Sequence, residues 1–284
     1  MKWWYNLVNN DNKSSISCKL CNSNSTNLIA AFKKKPKAEI ELNIPAGDYH
    51  REIYHCQDCD VYFNSFKYNL DELYEESYNK STYNHRLLEN YQKIRKLPFE
   101  KSDNKHRVKR VAAFASQQGF NFSKSKVLDI GSGLSVFIAE MQELGFKGYC
   151  IDPDPIAIQH AVDNVKVAGG HGGNIYDFSV NMKFEIISFN KVLEHVLNPI
   201  AVLKKASGFL SENGFIYIEL PDGRNAIKNG SVEEREEFFI EHHFIFTPDS
   251  VSYLIDKAGL SVVKIEEIQD PSGKYTLYAF IKNR

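Results

Sequence analysis

Two Cys-x-x-Cys pairs stand near the start of the chain, Cys18 with Cys21 and Cys56 with Cys59, separated by 34 intervening residues. Four thiolates presented on two such knuckles match the tetrahedral donor set of a structural Zn2+, and a closed site of four cysteines leaves no open position for catalysis. The metal is therefore expected to stabilise the fold. Four unligated thiols are the alternative, with His50 and His55 as reserve ligands. Cys150, between apolar neighbours, reads as a small buried core residue.

A second constellation begins at Val127-Leu128-Asp129-Ile130-Gly131-Ser132-Gly133-Leu134-Ser135, an apolar run that enters a glycine turn and then a helix. Gly131 and Gly133 let the backbone turn tightly and let a ligand approach without a Cβ in the way, with Ser132 between them. Asp152 follows 23 positions after Asp129. That is close to the ~20-residue interval at which an acidic residue meets ribose hydroxyls. The third glycine of a dinucleotide fingerprint would fall on Val136, so that pattern fails. Asn190 closes the apolar run Phe184-Glu185-Ile186-Ile187-Ser188-Phe189. Ligands in open α/β sheets lie beyond the carboxyl ends of strands, which places Asn190 beside the cofactor. His195 reads as structural, His171 as a solvated loop residue, and Asn174 as a candidate for an adenine contact.

These residues need a scaffold that alternates strands and helices. Strands are expected near 126–130, 147–151, 164–167, 184–189 and 214–220, the order of βαβ units and a parallel sheet. Helix punctuation agrees: Val136 to Leu144 stops at Gly145, Pro155 follows Asp154, and another helix starts at Pro199. Thr247-Pro248-Asp249 caps a last helix ending at Gly259. Strands near 261–268 and 275–282 then flank Asp270-Pro271-Ser272-Gly273, and so short a turn makes them antiparallel. Upstream, Leu87, Leu88, Tyr91 and Ile94 share a helical face, Pro98 breaks the helix, and Val108, Val111, Ala112 and Ala115 resume it. The expected organisation is a metal module over 1–69, a helical bridge over 70–120 and a cofactor-binding domain over 121–284.

Composition narrows the class. The 284 residues carry 35 basic and 36 acidic side chains, so no whole-molecule field draws the chain onto nucleic acid or an anionic membrane. No segment has the length and apolarity of a signal peptide or a membrane span, and a soluble, cytoplasmic protein is expected.

The acid-x-Gly-x-Gly loop, Asp152, Asn190, Val192-Leu193-Glu194-His195-Val196 and the antiparallel terminal hairpin together resemble bacterial class I methyltransferases with an N-terminal zinc module. That group includes sugar C-methyltransferases of deoxysugar and surface-polysaccharide pathways. The resemblance implies a Rossmann-like α/β sheet, parallel with an antiparallel terminal hairpin, and S-adenosylmethionine held by Asp129, Gly131, Ser132, Gly133, Asp152 and Asn190. Asp129 would sit near the cofactor's amino-acid end. Ser135 stands where many relatives have another glycine.

The group carries a Glu-His pair before the last capped helix, matched by Glu241-His242, and an aromatic segment after the second cysteine pair, in which Tyr78 is the best match. Carbons beside ketones, and hydroxyls, need a base before they attack, and histidine titrates near neutral pH. The resemblance thus implies His242 as general base, Glu241 as its orienting partner and Tyr78 on the acceptor oxygen. A structural pair capping the helix, and tyrosines that only pack the bridge, are the alternatives. Phe239 replaces a tyrosine of the group, and the chain ends after the terminal hairpin, without the extra C-terminal domain of the well-understood sugar enzymes. The expected acceptor is therefore small, polar and sugar-like, without choice of carbon over oxygen. The competing readings are an RNA methyltransferase, resting on the basic runs Lys33 to Lys37 and Lys105 to Arg110, and a cofactor-binding scaffold without chemistry.

Overall fold

The computed structural model describes residues 16–39, 44, 47–68 and 83–284. Tyr78 lies outside the described residues.

The strand–turn–helix read around Asp129 is the centre of a seven-stranded sheet. Strand β4 (Lys126–Ile130) is flanked in parallel by β5 (Lys147–Asp152) and β7 (Phe184–Asn190), and β5 by β6 (Gly169–Gly172). Beyond β7 lie β8 (Leu210–Pro221), parallel to it, then β11 (Tyr275–Asn283) and β10 (Leu260–Gln269), both antiparallel to their neighbours. The order across the sheet is β10-β11-β8-β7-β4-β5-β6. Central strands β4 and β7 are buried on both faces, which is why they read as continuous apolar runs.

Helix α1 (Tyr83–Arg95) and α2 (Asp103–Gln117) form the bridge, with a 3-10 turn over Phe99–Lys101 after Pro98. Leu87 is buried as expected, but Leu88 is 42% exposed and lies off the packed face. The crossovers use α3 (Val136–Glu143), α4 (Pro155–His160) and α5 (Pro199–Ser207), and α6 (Gly223–Lys228) and α7 (Pro248–Lys257) follow β8. Asp154, Asn198 and Thr247 cap their helices by accepting backbone N–H bonds, and Thr247 with Ser250 closes a capping box.

The third strand departs from expectation. Residues 161–165 continue α4 as a π-helical turn, and the strand forms instead from Gly169–Gly172, around the His171 expected in a loop. A Cβ on Gly169 would stand 2.9 Å from Tyr149 Cδ1, and one on Gly170 3.0 Å from Ile158 Cγ2. This strand lies flush against its neighbours because it has almost no side chains, and apolar patterning cannot reveal such a strand.

The cysteine region builds a second sheet in the order β1-β2-β3-β9. Its strands are β1 (Thr26–Phe32), β2 (Arg51–Cys56), β3 (Tyr62–Phe66) and the two-residue β9 (Phe244–Ile245), all antiparallel. The fourth strand thus comes from the far end of the chain. Cys18, Cys56, Cys59, Val61 and Phe63 share one apolar cluster with Leu128, Phe189, Phe244, Phe246 and Leu254. The cysteine knuckles are built into the core of the large sheet. No helix among the described residues is long and apolar enough to cross a membrane.

Candidate active site

The turn after β4 folds against the end of β5: the N–H groups of Gly131 and Ser132 both donate to the Ile151 carbonyl, at 2.8 and 3.3 Å. Gly131 has φ +71°, and a Cβ there would lie 2.5 Å from Val192 Cγ2, so only glycine fits. Ser135 also sits left-handed, at φ +55°, which is the physical reason glycine suits that position. Asp152 ends β5 with its carboxylate locked by the N–H groups of Gly133 (2.7 Å) and Asp154 (2.9 Å). Each oxygen keeps a further lone pair for a ligand.

Asp129 is 2% exposed and accepts from Ser188 Oγ at 2.7 Å and Asn190 Nδ2 at 2.8 Å. Burial pushes its carboxyl up to about 7, against the opposing effect of these donors and of Arg107. Asn190 Oδ1 and Ser132 Oγ are buried without a partner. Two unsatisfied polar groups therefore sit beside a carboxyl poised to ionise, an arrangement that calls for a polar, cationic guest.

The residue after Asn190 adds a charged floor. Lys191, at φ +60°, buries its ammonium on Thr276 Oγ1 at 2.7 Å. Glu219, paired in register with Asn190 across β7 and β8, is fully buried and gripped by Arg107 through two bonds, by Arg110 Nη2 at 2.9 Å and by Tyr217 Oη at 2.7 Å. These cations hold Glu219 well below the usual carboxylate range. Arg107 and Arg110 of the second basic run thus face the sheet. Lys105 caps the Leu97 carbonyl, and Lys109 lies over the Phe99 ring.

His242 and His195 meet beyond this floor, with ring centroids 4.8 Å apart in an edge-to-face pair. His242 Nδ1 lies 2.8 Å from the Glu237 carbonyl oxygen. A carbonyl only accepts, so Nδ1 carries the proton and Nε2 the lone pair. Burial, with His195 and Lys191 nearby, holds His242 well below the ordinary histidine value, so it is neutral at physiological pH. The orienting bond expected from the Glu241 side chain is made instead by the Glu237 backbone, because the 3-10 turn Glu236–Phe238 folds that carbonyl back onto the ring. Glu241 contributes its own carbonyl, 2.9 Å from His195 Nδ1. Its carboxyl is pushed up by burial.

Sequence reading assigned His195 to structure and passed over Glu194. Glu194 is fully buried, neither carboxylate oxygen has a hydrogen-bond partner, and Oε1 makes a long ion-pair contact of 4.0 Å with His195 Nε2. The adjacency of an acid and a histidine just past a strand end was the available signal. His171 is on β6 with its ring against Phe178, not in a solvated loop, and Asn174 caps a turn by accepting from Tyr176 N.

The four cysteine sulfurs gather within 4.8 Å of one another. Cys18 Sγ is 3.7 Å from Cys59 Sγ, and Cys21 Sγ 3.5 Å from Cys56 Sγ. Tetrahedral Zn–S bonds of ~2.3 Å require S–S edges of about 3.8 Å, so the donor set fits zinc and is far too open for disulfides. The N–H of Leu20 points at Cys18 Sγ at 3.4 Å, the type of contact that stabilises a metal-bound thiolate. His50 and His55 stand apart, paired with Glu52 and Asp60. Cys150 is buried, its thiol pushed up to about 12.

A family model described as a methyltransferase domain matches residues 99–265, more than half of the chain. The chain belongs to the methyltransferase-domain family. The matched methyltransferase segment runs from the 3-10 turn of the bridge into β10, and contains every expected cofactor residue as well as Glu241 and His242. Ubiquinone biosynthesis O-methyltransferase of Haemophilus ducreyi is 28% identical over 103 residues, 33% of this chain and 44% of that protein. The match spans less than half of that relative. Magnesium protoporphyrin IX methyltransferase of Synechocystis PCC 6803, solved with bound SAH, superimposes with a TM-score of 0.54 at 12% identity, covering 74% of this chain and 100% of that one. For the 1,6-didemethyltoxoflavin-N1-methyltransferase of Burkholderia thailandensis the values are 0.51 and 15%, over 81% and 99%. At such identities the structural likeness speaks for the methyltransferase fold alone.

Proposed function

We propose that the chain is an S-adenosylmethionine-dependent methyltransferase for a small, polar, sugar-like acceptor, with zinc in the Cys18, Cys21, Cys56 and Cys59 cluster. The observation that carries this reading is the loop from Asp129 to Gly133. In a fold of this family it brings together a near-neutral carboxyl, a glycine that admits no Cβ, and the unpartnered Ser132 Oγ and Asn190 Oδ1. When bound, the cofactor supplies an electrophilic methyl group on a sulfonium. Asp129 and Asn190 would receive its ammonium, and Asp152 its ribose hydroxyls. His242 Nε2 takes the proton from the acceptor hydroxyl or activated carbon, with Nδ1 steadied by the Glu237 carbonyl. Tyr78 remains the proposed contact to the acceptor oxygen.

The cofactor loop can be tested at two positions. Gly131→Ala forces a left-handed alanine onto Val192, a strain of about 1–3 kcal/mol. The variant should melt lower, by roughly 2–4 °C for each kcal/mol, and bind the cofactor at least ~10-fold more weakly in calorimetry. The second position, Asp129, sets a pH dependence. Free Asp129 is protonated below about 7, whereas a bound ammonium needs the carboxylate, so binding expels a proton. Affinity should fall roughly tenfold per pH unit below about 7, and Asp129→Asn should bind weakly with that dependence gone. A flat affinity between pH 5.5 and 7.5 in the native protein would contradict the assignment.

The RNA-methylating alternative keeps only one of its two basic runs, Lys33 to Lys37, since Arg107 and Arg110 of the other hold Glu219 instead of lining a surface. Mass spectrometry after incubation with isotopically labelled cofactor and a nucleotide-sugar library tests the acceptor class. A product heavier by one labelled methyl group is expected. Cofactor binding without transfer to any sugar, alongside transfer to RNA or to none of the acceptors, would overturn it.

A further inference from the structure

The loop that carries His242 makes most of its backbone contacts to residues far away in the sequence, and those residues belong to the cysteine module. Asn64 on β3 donates through Nδ2 to the carbonyls of His242 at 2.7 Å and Phe239 at 3.0 Å. Its backbone N–H reaches the His243 carbonyl at 3.2 Å. Arg51 on β2 is fully buried, with Nη1 2.6 Å from the Phe238 carbonyl and 3.0 Å from Asn64 Oδ1. Glu39 completes the clamp: one carboxylate oxygen accepts from Ile240 N at 2.6 Å and pairs with Arg51 Nη2 at 3.1 Å. Beyond the loop, β3 continues the grip by pairing with β9.

We propose that the cysteine module is a positioning device for the base, in which Asn64 and Arg51, with Glu39, hold residues 238–243 so that His242 meets His195. This rests on the reading of His242 as the base. Five backbone groups of the loop (the Phe238, Phe239, His242 and His243 carbonyls and the Ile240 N–H) are tied to three module residues. Among the described residues, the catalytic domain outside the loop's own turns bonds its backbone through His243 N to the Glu194 carbonyl and through the Glu241 carbonyl to His195. A planar amide and a planar guanidinium, hydrogen-bonded to each other and fixed by a buried carboxylate, have little rotational freedom. The loop's position is therefore set by the register of β2 and β3, with Cys56 ending β2 and Cys59 in the connection between them. A metal held by the four cysteines would act on the chemistry through this protein frame.

A residue that only stabilises the fold and one that places His242 differ in a measurable way. His242 stays neutral because it is buried with its Nδ1 on the Glu237 carbonyl, facing His195 and near Lys191 and Lys274. Releasing the loop hydrates the ring. Asn64→Asp keeps the side-chain shape but turns the donor into an oxygen facing carbonyls, and Arg51→Lys keeps the charge beside Glu39 but loses the planar fork. The experiment uses the full-length, zinc-loaded chain with 13C-labelled histidine, the His242 signal being assigned by its loss in His242→Gln. In the native protein that signal should stay unprotonated well below the ordinary histidine value. In both variants it should titrate near the ordinary histidine value of about 6.5, with faster amide exchange over 238–243 and S-adenosylmethionine affinity within about twofold of native. If Asn64→Asp does not fold, Arg51→Lys decides by the same readouts. A folded variant with native His242 titration and native exchange over the loop would overturn the proposal. The test needs no acceptor, so it can fail while His242 remains the base, and succeed where His242→Gln shows that it is not.

Discussion

His242→Gln is expected to lower kcat by about 10²–10⁴-fold, the usual contribution of a positioned general base, while leaving S-adenosylmethionine affinity within about twofold. Glutamine approximates the length of the ring and brings no charge into a buried site that already holds a neutral side chain. The loss should fall on kcat and kcat/KM together, since the lone pair on Nε2 matters only as the acceptor's proton leaves. The native kcat should fall on the acid side as His242 becomes protonated, and His242→Gln should lose that limb. Because burial holds His242 low, that limb should lie below pH 6.5, the unperturbed histidine value. Full turnover by His242→Gln on the same acceptor would leave the pair a structural role in the loop, since Thr247 and Ser250 already cap the following helix.

Cys56→Ser combined with Cys59→Ser is expected to abolish metal binding and lower the melting temperature by more than about 10 °C. Structural zinc contributes an apparent ~10–16 kcal/mol to small metal domains, as large as the whole stability of an ordinary domain. Here the loss would not stay local. Cys18, Cys56 and Cys59 pack in the same apolar cluster as Phe63, Phe244 and Leu254, so an opened module exposes the flank of the large sheet. Metal analysis should find one zinc per native chain, and a chelator should reproduce the melting shift. A metal-free chain with four titratable thiols and unchanged melting would contradict the zinc assignment.

How far the sequence alone carries can be judged residue by residue. The strand entering Asp129, the turn at Gly131 and the caps at Asp154 and Thr247 were readable because each is a local solution to a backbone problem, and each appears in place. The antiparallel terminal hairpin was readable for the same reason. The third strand was not, since Gly169–Gly172 forms by close approach of neighbours and not by an apolar pattern. The extension of the cysteine sheet by Phe244–Ile245 and the clamp of Asn64 and Arg51 on Phe238 to His243 join positions more than 170 residues apart, and no local spacing encodes them. The partner of His242 is local but was hidden for another reason, since a main-chain carbonyl carries no side-chain signature. Glu241 was its neighbour in sequence, yet the backbone of Glu237 reaches it.

The most direct test of the central claim is calorimetric titration of the native chain and of Asp152→Ala with S-adenosylmethionine, with NAD as comparison. One cofactor molecule should bind per native chain, at least ~10-fold more weakly when the Asp152 carboxylate is removed, since two lost hydrogen bonds of about 1 kcal/mol each suffice for that. NAD should not compete. Saturable binding of NAD in place of S-adenosylmethionine, or S-adenosylmethionine affinity indifferent to Asp152, would contradict the account.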